Sequence, residues 1–294
     1  MSQTQTKSLF ASGHTACAGC GQSLAVRLVI DTAGPNTIIA NNTGCLEVFS
    51  TKYPESSWCV PWIHSLFENA AAVASGIEAA LKFQGKKDKI SVIAQAGDGG
   101  TADIGIQALS GMWERGHDVL SICYDNEAYM NTGIQRSGLT PFDSSTTTSP
   151  SGTQSFGNPK PKKPVPEIAN AHGIAYVATA SVGYPQDLQN KVKKALSIKG
   201  PKYLQIHVPC PLGWGCSSNL TYQIARLAVQ TGLYPLIEYE NGILTKVFKI
   251  TPKPVEEYLK PQRRFRHVVN NPGELAKIQE IANTNIKRYN LVSE

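Results

Sequence analysis

The stretch KISVIAQAGDGG, residues 89–100, decides the fold, because an apolar run of strand length leads directly into glycines. A helix-like segment, TADIGIQALSGMWERG (101–116), comes next, and a second apolar run then ends in a polar loop, DVLSICYDNEAYMNTG (118–133). Short apolar runs separated by amphipathic segments are typical of parallel strands joined by crossover helices. The stretch therefore predicts the centre of a parallel sheet.

The same alternation continues on both sides of this centre. The further segments are NTIIANNTG (36–44), ENAAAVASGIEAALKF (68–83), AYVATAS (175–181), YPQDLQNKVKKALSI (184–198) and KYLQIHVPC (202–210). Strands that alternate with helices predict an α/β fold, a doubly wound and mainly parallel sheet with helices on both faces. We expect this domain to span residues 1–240.

Two segments depart from the alternation. Residues 141–165 are rich in Ser, Thr, Gly and Pro and lack a hydrophobic period, which predicts a long loop with a binding or docking role. From about residue 236 a hairpin-like stretch is followed by a basic tail. We expect residues 241–294 to form an irregular C-terminal extension that wraps around a partner or around the domain's own surface.

Composition limits the classes of protein that this chain can belong to. Its 294 residues are 41% hydrophobic, enough for a substantial core, and no run of eighteen apolar residues or secretory leader is found. We therefore expect a cytoplasmic protein that does not enter a membrane. The net charge of +6 is spread over segments such as PKPKKP (159–164) and KPQRRFRH (260–267), which favours solvated surface or loops that meet an acidic partner over nucleic-acid binding.

Polar side chains and glycines follow the two central strands. Asp98 stands at the end of one strand and Asn126 at the end of the next, and Gly97, Gly99 and Gly100 would let a diphosphate approach the backbone. A magnesium ion on a diphosphate takes hard oxygen ligands, which these side chains supply. The alternative is a plain Gly-Asp-Gly turn and an ordinary loop asparagine.

Cysteines supply a second chemical signal. Cys17 and Cys20 form a C-x-x-C pair in a chain with seven cysteines, and clustered cysteines in the cytoplasm more often bind metal or do redox chemistry than form disulfides. The pair alone fits a redox couple, half of a zinc site or half of an iron-sulfur site.

These motifs together resemble the beta subunit of 2-oxoacid:ferredoxin oxidoreductases, above all those of the pyruvate synthase type. The matching segments are HTACAGCG (14–21), NTGCLEV (42–48), PWIHSLFENAAAVASGIEAALK (61–82), residues 97–138 with their GDGG and DN motifs, and PCPLGW (209–214). The resemblance covers roughly residues 10–240 and implies a thiamine diphosphate-binding fold.

The resemblance implies particular roles for the residues at the strand ends. Asp98, Asn126 and the backbone carbonyl of Ala128 would bind Mg²⁺ and, through it, thiamine diphosphate. Asn131 and Thr132 would face the thiazolium ring and the substrate as catalytic residues. For Asn131 the alternative is a turn residue that caps its own backbone.

The resemblance also implies a 4Fe-4S cluster beside the thiamine. Its ligands would be Cys17, Cys20, Cys45 and Cys210, and Gly44 would pass close to the cofactor. Four thiolates hold such a cluster. A zinc ion bound by the same four thiolates is the alternative.

Three further cysteines are assigned less directly. Cys216 lies six residues after Cys210, so spacing alone leaves it open as the fourth ligand. Cys59 and Cys123 are interpreted as small hydrophobic residues in the core or near the site.

The implied reaction is oxidative decarboxylation of a 2-oxoacid, with pyruvate expected as substrate and coenzyme A as acyl acceptor. Electrons would pass through the cluster to ferredoxin. The carboxylate that activates thiamine belongs to a partner subunit in this family, and no residue here is assigned to that role, so alpha and other subunits should complete the enzyme. The alternatives are an enzyme acting on oxalate or another 2-oxoacid, and a non-catalytic zinc-binding interaction module.

Overall fold

The chain is seen in a computed structural model that describes residues 8–52 and 54–292. Its one large sheet contains eight strands: β1 Thr37–Asn41, β2 Trp62–His64, β3 Ser91–Gly97, β4 Leu120–Asp125, β5 Tyr176–Ser181, β6 Lys202–His207, β7 Ile237–Glu240 and β8 Ile243–Val247. The spatial order is β2-β1-β3-β4-β6-β5-β7-β8. The first six strands in this order pair in parallel, whereas β7 and β8 are antiparallel. The predicted mainly parallel α/β sheet is confirmed.

Helices cover both faces of the sheet. They are α1 Gly21–Ala33, α2 Cys45–Ser50, α3 Ala70–Phe83, α4 Ile106–Glu114, α5 Val165–Ala171, α6 Pro185–Ser197, α7 Pro211–Trp214, α8 Thr221–Gln230, α9 Val255–Leu259, α10 Arg266–Val269 and α11 Pro272–Arg288. One hydrophobic core lies between the sheet and helices α1, α2 and α6, and a second between the opposite face and α3, α4 and α5.

Strand β4 shows why the central strands are apolar runs. All six of its residues are buried, because both faces of the sheet are covered at this point. Leu120, Ile122 and Tyr124 belong to one core and Cys123 to the other, as the two-residue period of a strand requires.

The strand order places a crevice at one edge of the sheet. From β1 the chain crosses outward to β2, and β3 then lies on the other side of β1. Loops that follow such neighbouring strands diverge, and in open parallel sheets ligands bind at this switch point. The loops after β1, β3 and β4 meet there.

The C-terminal part is more regular than the predicted irregular extension. Strands β7 and β8 form the expected hairpin, and helices α8 to α11 enclose a third hydrophobic core. Helix α11 begins where the side chain of Asn271 accepts hydrogen bonds from the backbone N–H groups of Gly273 and Glu274, with Pro272 as its first residue. The extension therefore packs on this chain's own domain, and contact with a partner stays a prediction.

No helix or strand lies between β4 and α5, which begins at Val165, and a binding or docking role for the long loop stays a prediction. Within the described part of the chain, no helix combines the length and the hydropathy needed to cross a membrane.

Candidate cofactor site

Three loops line one small cavity at the switch point. With the strand ends and the start of α2 included, their lining residues are 41–46 at the end of β1, 96–100 at the end of β3 and 126–132 after β4, except for Glu127. Residues predicted for the site from all three loops are therefore brought together: Gly44, Cys45, Gly97, Asp98, Gly99, Gly100, Asn126, Ala128, Asn131 and Thr132.

Asp98 lies at the base of this cavity with only 1% of its surface exposed. Its Oδ2 accepts a hydrogen bond from the hydroxyl of Ser137. Burial, followed by the nearby carboxylate of Asp125, raises the pKa of Asp98 well above its ordinary value. The protonated form of this buried acid is therefore favoured unless a cation lies beside it.

Asn126 and Ala128 complete the group that we call the cofactor corner, which consists of Asp98, Asn126 and the Ala128 carbonyl. The end of the Asn126 amide that faces the corner lies 2.9 Å from Asp98 Oδ1 and 2.8 Å from Ala128 O. With the amide nitrogen at this end, Asn126 donates hydrogen bonds to both oxygens. With the amide oxygen there, three oxygens face one another and need a cation between them.

Two of the predicted glycines are required by close packing. A Cβ on Gly99 would lie 2.3 Å from the ring of Tyr129, and one on Gly100 would lie 3.0 Å from the side-chain nitrogen of Asn42. Gly97 has open space instead. Gly99 and Gly100 therefore let the backbone after β3 pack closely on its neighbours. A Cβ on Gly97 would meet no protein atom within 4 Å.

Asn131 and Thr132 lie on the exposed part of the same loop. The Thr132 hydroxyl donates a hydrogen bond to Gln135 Oε1 at 2.6 Å, and Gln135 Nε2 donates to the Thr132 carbonyl at 2.8 Å. Thr132 is thus held by its own loop, whereas no side-chain hydrogen bond of Asn131 occurs among the described residues. Their catalytic role stays a prediction.

The N-terminal C-x-x-C segment packs against the segment that carries Cys210. A Cβ on Gly21 would lie 2.8 Å from the Pro209 carbonyl, and one on Gly19 would lie 2.3 Å from the Ser218 carbonyl. Gly21 N–H also donates to Pro209 O at 3.1 Å. Glycine at both positions lets the two segments touch.

The four predicted cluster ligands are neighbours, and we call them the cysteine group: Cys17, Cys20, Cys45 and Cys210. Burial raises the pKa of the Cys45 thiol to about 12, and the other three thiols act in the same direction. Burial likewise raises the pKa of Cys210 to about 11, to which Cys20 and Cys17 contribute. Crowded, buried thiols become thiolates when they bind metal.

The remaining cysteines differ from this group in their surroundings. The pKa of Cys216 is raised by burial and lowered by Arg264, with no contribution from another thiol. Cys123 is buried, as interpreted from the sequence, but Cys59 is exposed, so the interpretation of Cys59 as a core residue is wrong. Cys59 comes directly after the buried Trp58, at the start of a two-residue bend, and Trp58 takes the core position itself.

No three His, Cys, Asp or Glu side chains of the described residues converge as they would around a single metal ion. The cofactor corner is of another kind, because it combines one carboxylate with an amide and a backbone carbonyl.

A buried ionic cluster lies directly behind the corner. Lys162 Nζ donates to Asp125 Oδ2 and to Glu127 Oε1, each at 2.8 Å, and an Arg264 guanidinium nitrogen lies 2.5 Å from Glu127 Oε2. Burial acts to raise the pKa of Glu127, but Lys162 and Arg264 outweigh it and lower this pKa to about 2. Burial raises the pKa of Asp125 to about 6. Glu127 is therefore an anion between two cations.

Sequence reasoning missed several residues that shape this site. Asn42 donates to the Gly100 carbonyl at 3.3 Å and accepts from Ala70 N–H at 2.7 Å, and Thr43 bonds the ring of His64 at 2.8 Å. The polar run after β1 was a usable signal for Asn42 and Thr43. His64 contacts this loop only because β2 pairs beside β1, which no local pattern reveals.

Comparison with known proteins decides the family. Residues 42–206 match the family model described as thiamine pyrophosphate enzyme, C-terminal TPP binding domain. The chain is 58% identical over 295 residues to pyruvate synthase subunit PorB of Methanosarcina barkeri (strain Fusaro / DSM 804), covering 99% of this chain and 100% of the relative. The chain belongs to the PorB family of thiamine pyrophosphate enzymes. The resemblance seen in its motifs is confirmed at this level.

One further relative and one solved structure are also similar to this chain. Ketoisovalerate oxidoreductase subunit VorB of Pyrococcus abyssi (strain GE5 / Orsay) is 50% identical, over 90% of this chain and 88% of the relative. The solved structure of 2-oxoglutarate:ferredoxin oxidoreductase from Magnetococcus marinus, with 2-oxoglutarate, coenzyme A and succinyl-CoA bound, has a TM-score of 0.57. It is 25% identical and is matched over 69% of this chain and 67% of that chain.

Proposed function

We propose that this chain is the beta subunit of a pyruvate synthase, which decarboxylates pyruvate oxidatively and passes the acyl group to coenzyme A and the electrons to ferredoxin. The observation that supports this proposal is that Cys45 of the cysteine group lines the same cavity as the cofactor corner, in a chain 58% identical to a pyruvate synthase subunit.

The cofactor corner suits Mg²⁺ bound to a diphosphate. In an octahedron with metal–oxygen bonds of 2.0–2.1 Å, adjacent ligand oxygens are about 2.9 Å apart. The Asn126 amide lies 2.9 Å and 2.8 Å from the other two oxygens of the corner, distances that suit hydrogen bonds from its nitrogen and also this spacing when its oxygen is turned to the corner. Asp98, Asn126 and the Ala128 carbonyl would therefore hold Mg²⁺ and leave its other positions to phosphate and water.

Buried polar atoms around the cavity suit an organic ligand with hydrogen-bond donors. Gln22 Oε1 and Asn41 Oδ1 are both buried, line the cavity and find no donor among the described residues. Buried acceptors of this kind are normally satisfied, so a bound molecule would supply the missing donors. Thiamine diphosphate, when bound, provides the electron sink that lets a 2-oxoacid lose carbon dioxide.

The cysteine group would hold a 4Fe-4S cluster. Cys17, Cys20 and Cys210 all lie close enough to Cys45 to raise the pKa of its thiol, and four thiolates are the ligands that such a cluster needs. Gly213 N–H points at Cys210 Sγ at 3.4 Å, a contact that helps to set the potential of a bound cluster. Cys45 lines the cofactor cavity, so electrons would leave the substrate through its wall.

Partner subunits would complete the active site. We infer that the alpha subunit contributes the carboxylate that activates thiamine and that it covers the exposed residues Asn131 and Thr132. These two residues would then face pyruvate and hold its carboxylate or carbonyl oxygen through side-chain donors. The proposed location of the assembled enzyme is the cytoplasm.

A second substrate is favoured by one observation. The VorB relative is a ketoisovalerate oxidoreductase subunit and is 50% identical to this chain. A branched 2-oxoacid is therefore the competing substrate to pyruvate.

The experiment is an anaerobic assay of the complex formed by this chain and its co-expressed partner subunits. Reduction of a viologen dye is followed with pyruvate, 2-oxoisovalerate, 2-oxoglutarate or oxalate, each with and without coenzyme A. We expect the highest kcat/KM with pyruvate and a requirement for coenzyme A. A higher kcat/KM with 2-oxoisovalerate would replace pyruvate as the substrate, and no turnover with any 2-oxoacid would overturn the proposal.

A further inference from the structure

We propose that Glu127 is a positioning residue for the cofactor corner, held in place by Lys162 from the long loop and by Arg264 from the C-terminal extension. The inference rests on the magnesium and diphosphate site proposed above. It makes cofactor binding depend on two segments that contribute no ligand themselves.

The backbone at Glu127 explains why this position must be held. Glu127 lies between Asn126 and Ala128, and its φ of 72° falls in the left-handed region. A residue with a side chain reaches this region only at a cost, so the surrounding structure has to fix it there. The orientation of the turn decides whether the Asn126 amide and the Ala128 carbonyl both point at Asp98.

Two cations fix the Glu127 side chain from opposite segments. Its Oε1 accepts from Lys162 Nζ at 2.8 Å and its Oε2 lies 2.5 Å from the Arg264 guanidinium. The side chains of Glu127 and Arg264 are each only 4% exposed. Water does not screen such a pair, and each carboxylate oxygen has its own cation, so the side chain cannot turn.

Arg264 also contacts the cofactor corner indirectly, through Trp214. Its guanidinium carbon lies 3.8 Å from the ring centroid of Trp214, and Trp214 Nε1 donates to the Asn126 carbonyl at 2.8 Å. On the other side, Thr140 donates to the Glu127 carbonyl at 2.8 Å. The two peptide groups around the left-handed residue are therefore fixed by Trp214, which packs on Arg264, and by Thr140.

The test separates positioning from stability with a charge-balanced variant, Glu127→Gln/Arg264→Met. Removing one partner of a buried pair leaves an unpaired charge and destabilises the fold, but removing both often leaves stability nearly unchanged. We expect the urea midpoint to stay near that of the wild type, whereas the Mg²⁺ concentration needed for half-maximal thiamine diphosphate binding rises roughly tenfold as the left-handed turn loses its hold. Binding is measured by calorimetry on the complex with its partner subunits.

A matched control exists at the other end of β4. There Asp118 is held by Lys87 at 2.7 Å and by Lys202, in a part of the sheet remote from the corner. Asp118→Asn/Lys202→Met makes the same kind of change and should leave the Mg²⁺ requirement at the wild-type value.

A conservative pair decides the matter if the double variant does not assemble. Arg264→Lys keeps the charge beside Glu127 and should keep the Mg²⁺ requirement close to wild type, whereas Arg264→Gln should raise it. The inference would be overturned if Arg264→Lys and Arg264→Gln needed the same Mg²⁺ concentration for cofactor binding. It would also be overturned if Glu127→Gln/Arg264→Met needed no more Mg²⁺ than the wild type. A wild-type complex that binds thiamine diphosphate without Mg²⁺ or not at all would instead overturn the proposed function.

Discussion

Asp98 has two opposite effects on this chain. Its carboxylate is buried and its pKa is raised, first by burial and then by Asp125, so the charge destabilises the fold when no cation is present. The same charge would attract Mg²⁺ to a diphosphate that is itself negative. Binding and stability should therefore respond in opposite directions to the loss of this charge.

The variant Asp98→Asn tests this expectation. It keeps the size of the side chain and an oxygen that accepts from Ser137. We expect at least a tenfold loss of thiamine diphosphate affinity in the presence of Mg²⁺, about 1.4 kcal/mol, measured by calorimetry. Without cofactor the free energy of unfolding should rise by about 1 kcal/mol.

Brown colour and iron content should stay unchanged in Asp98→Asn, because the cysteine group does not use this residue. Unchanged affinity in Asp98→Asn would exclude Asp98 as a magnesium ligand.

Cys210 and Cys216 form a natural pair for testing the proposed cluster. Arg264 lowers the pKa of both thiols, but Cys20 and Cys17 raise only the pKa of Cys210. We expect Cys210→Ser to lower the iron content and to make the brown colour sensitive to oxygen. Cys216→Ser should retain about four iron atoms per chain. The reverse result would make Cys216 the fourth ligand, and a colourless wild-type protein containing zinc would exclude the cluster.

Individual residues were predictable where chemistry follows a local pattern. Asp98 and Asn126 each come directly after a buried strand, so the edge of the sheet at which they meet could be derived from the order of the chain. Lys162 and Arg264 could not be found in this way, because they contact Glu127 across 35 and 137 positions. Only the folded chain shows that PKPKKP and KPQRRFRH supply buried counter-ions as well as surface charge.

Asp143 in the long loop has an acidic neighbour, Glu274 of helix α11. Burial and then Glu274 raise the pKa of Asp143 to about 7, although an unfolded chain would release this proton near pH 3.8. The protonated form is therefore favoured in the folded state. The contact stabilises the fold fully below about pH 4, and this stabilisation is lost as the pH rises through about 7.

The variant Asp143→Asn should remove this pH dependence. We expect a gain of about 1 to 2 kcal/mol in unfolding free energy at pH 8 relative to wild type, because Asn carries no charge that must be buried, and little gain at pH 4. Urea denaturation at the two pH values provides the measurement. An equal effect at both would show that Asp143 is ionised throughout.

Secondary structure elements could be predicted from the sequence where their hydrophobic residues recur with a clear period. The strands β3 and β4 and the helices beside them follow their sequence patterns, whereas residues 241–294 were expected to be irregular. Helix α11 nevertheless carries ordinary signals, with Asn271 before Pro272 at its start and buried residues at Ile278 and Ala282. The prolines in the sequence before α11 made the whole segment look irregular. The short elements there are stabilised by tertiary packing on α8 and α9 more than by local propensity.

The whole molecule should be one half of an active site. We expect the purified single chain, prepared anaerobically, to hold its cluster and to bind thiamine diphosphate weakly with Mg²⁺. It should not reduce a viologen dye with pyruvate and coenzyme A, because general acid–base assistance from the partner's carboxylate is worth roughly 10² to 10⁴ in rate and substrate positioning is lost as well. The complex with its partner subunits is the control. Comparable turnover by the single chain would show that it carries its own activating carboxylate.

The span between Glu127 and Arg264 also sets an order of events during synthesis. Their 137 positions take roughly 7 to 27 s to translate at 5–20 residues per second. During that interval the nascent chain already contains Asp98, Asn126 and Ala128, but Glu127 does not yet have Arg264 as its counter-ion. A chain that stops before residue 264 would keep these three residues and still lack the counter-ion, so cofactor loading should follow release from the ribosome.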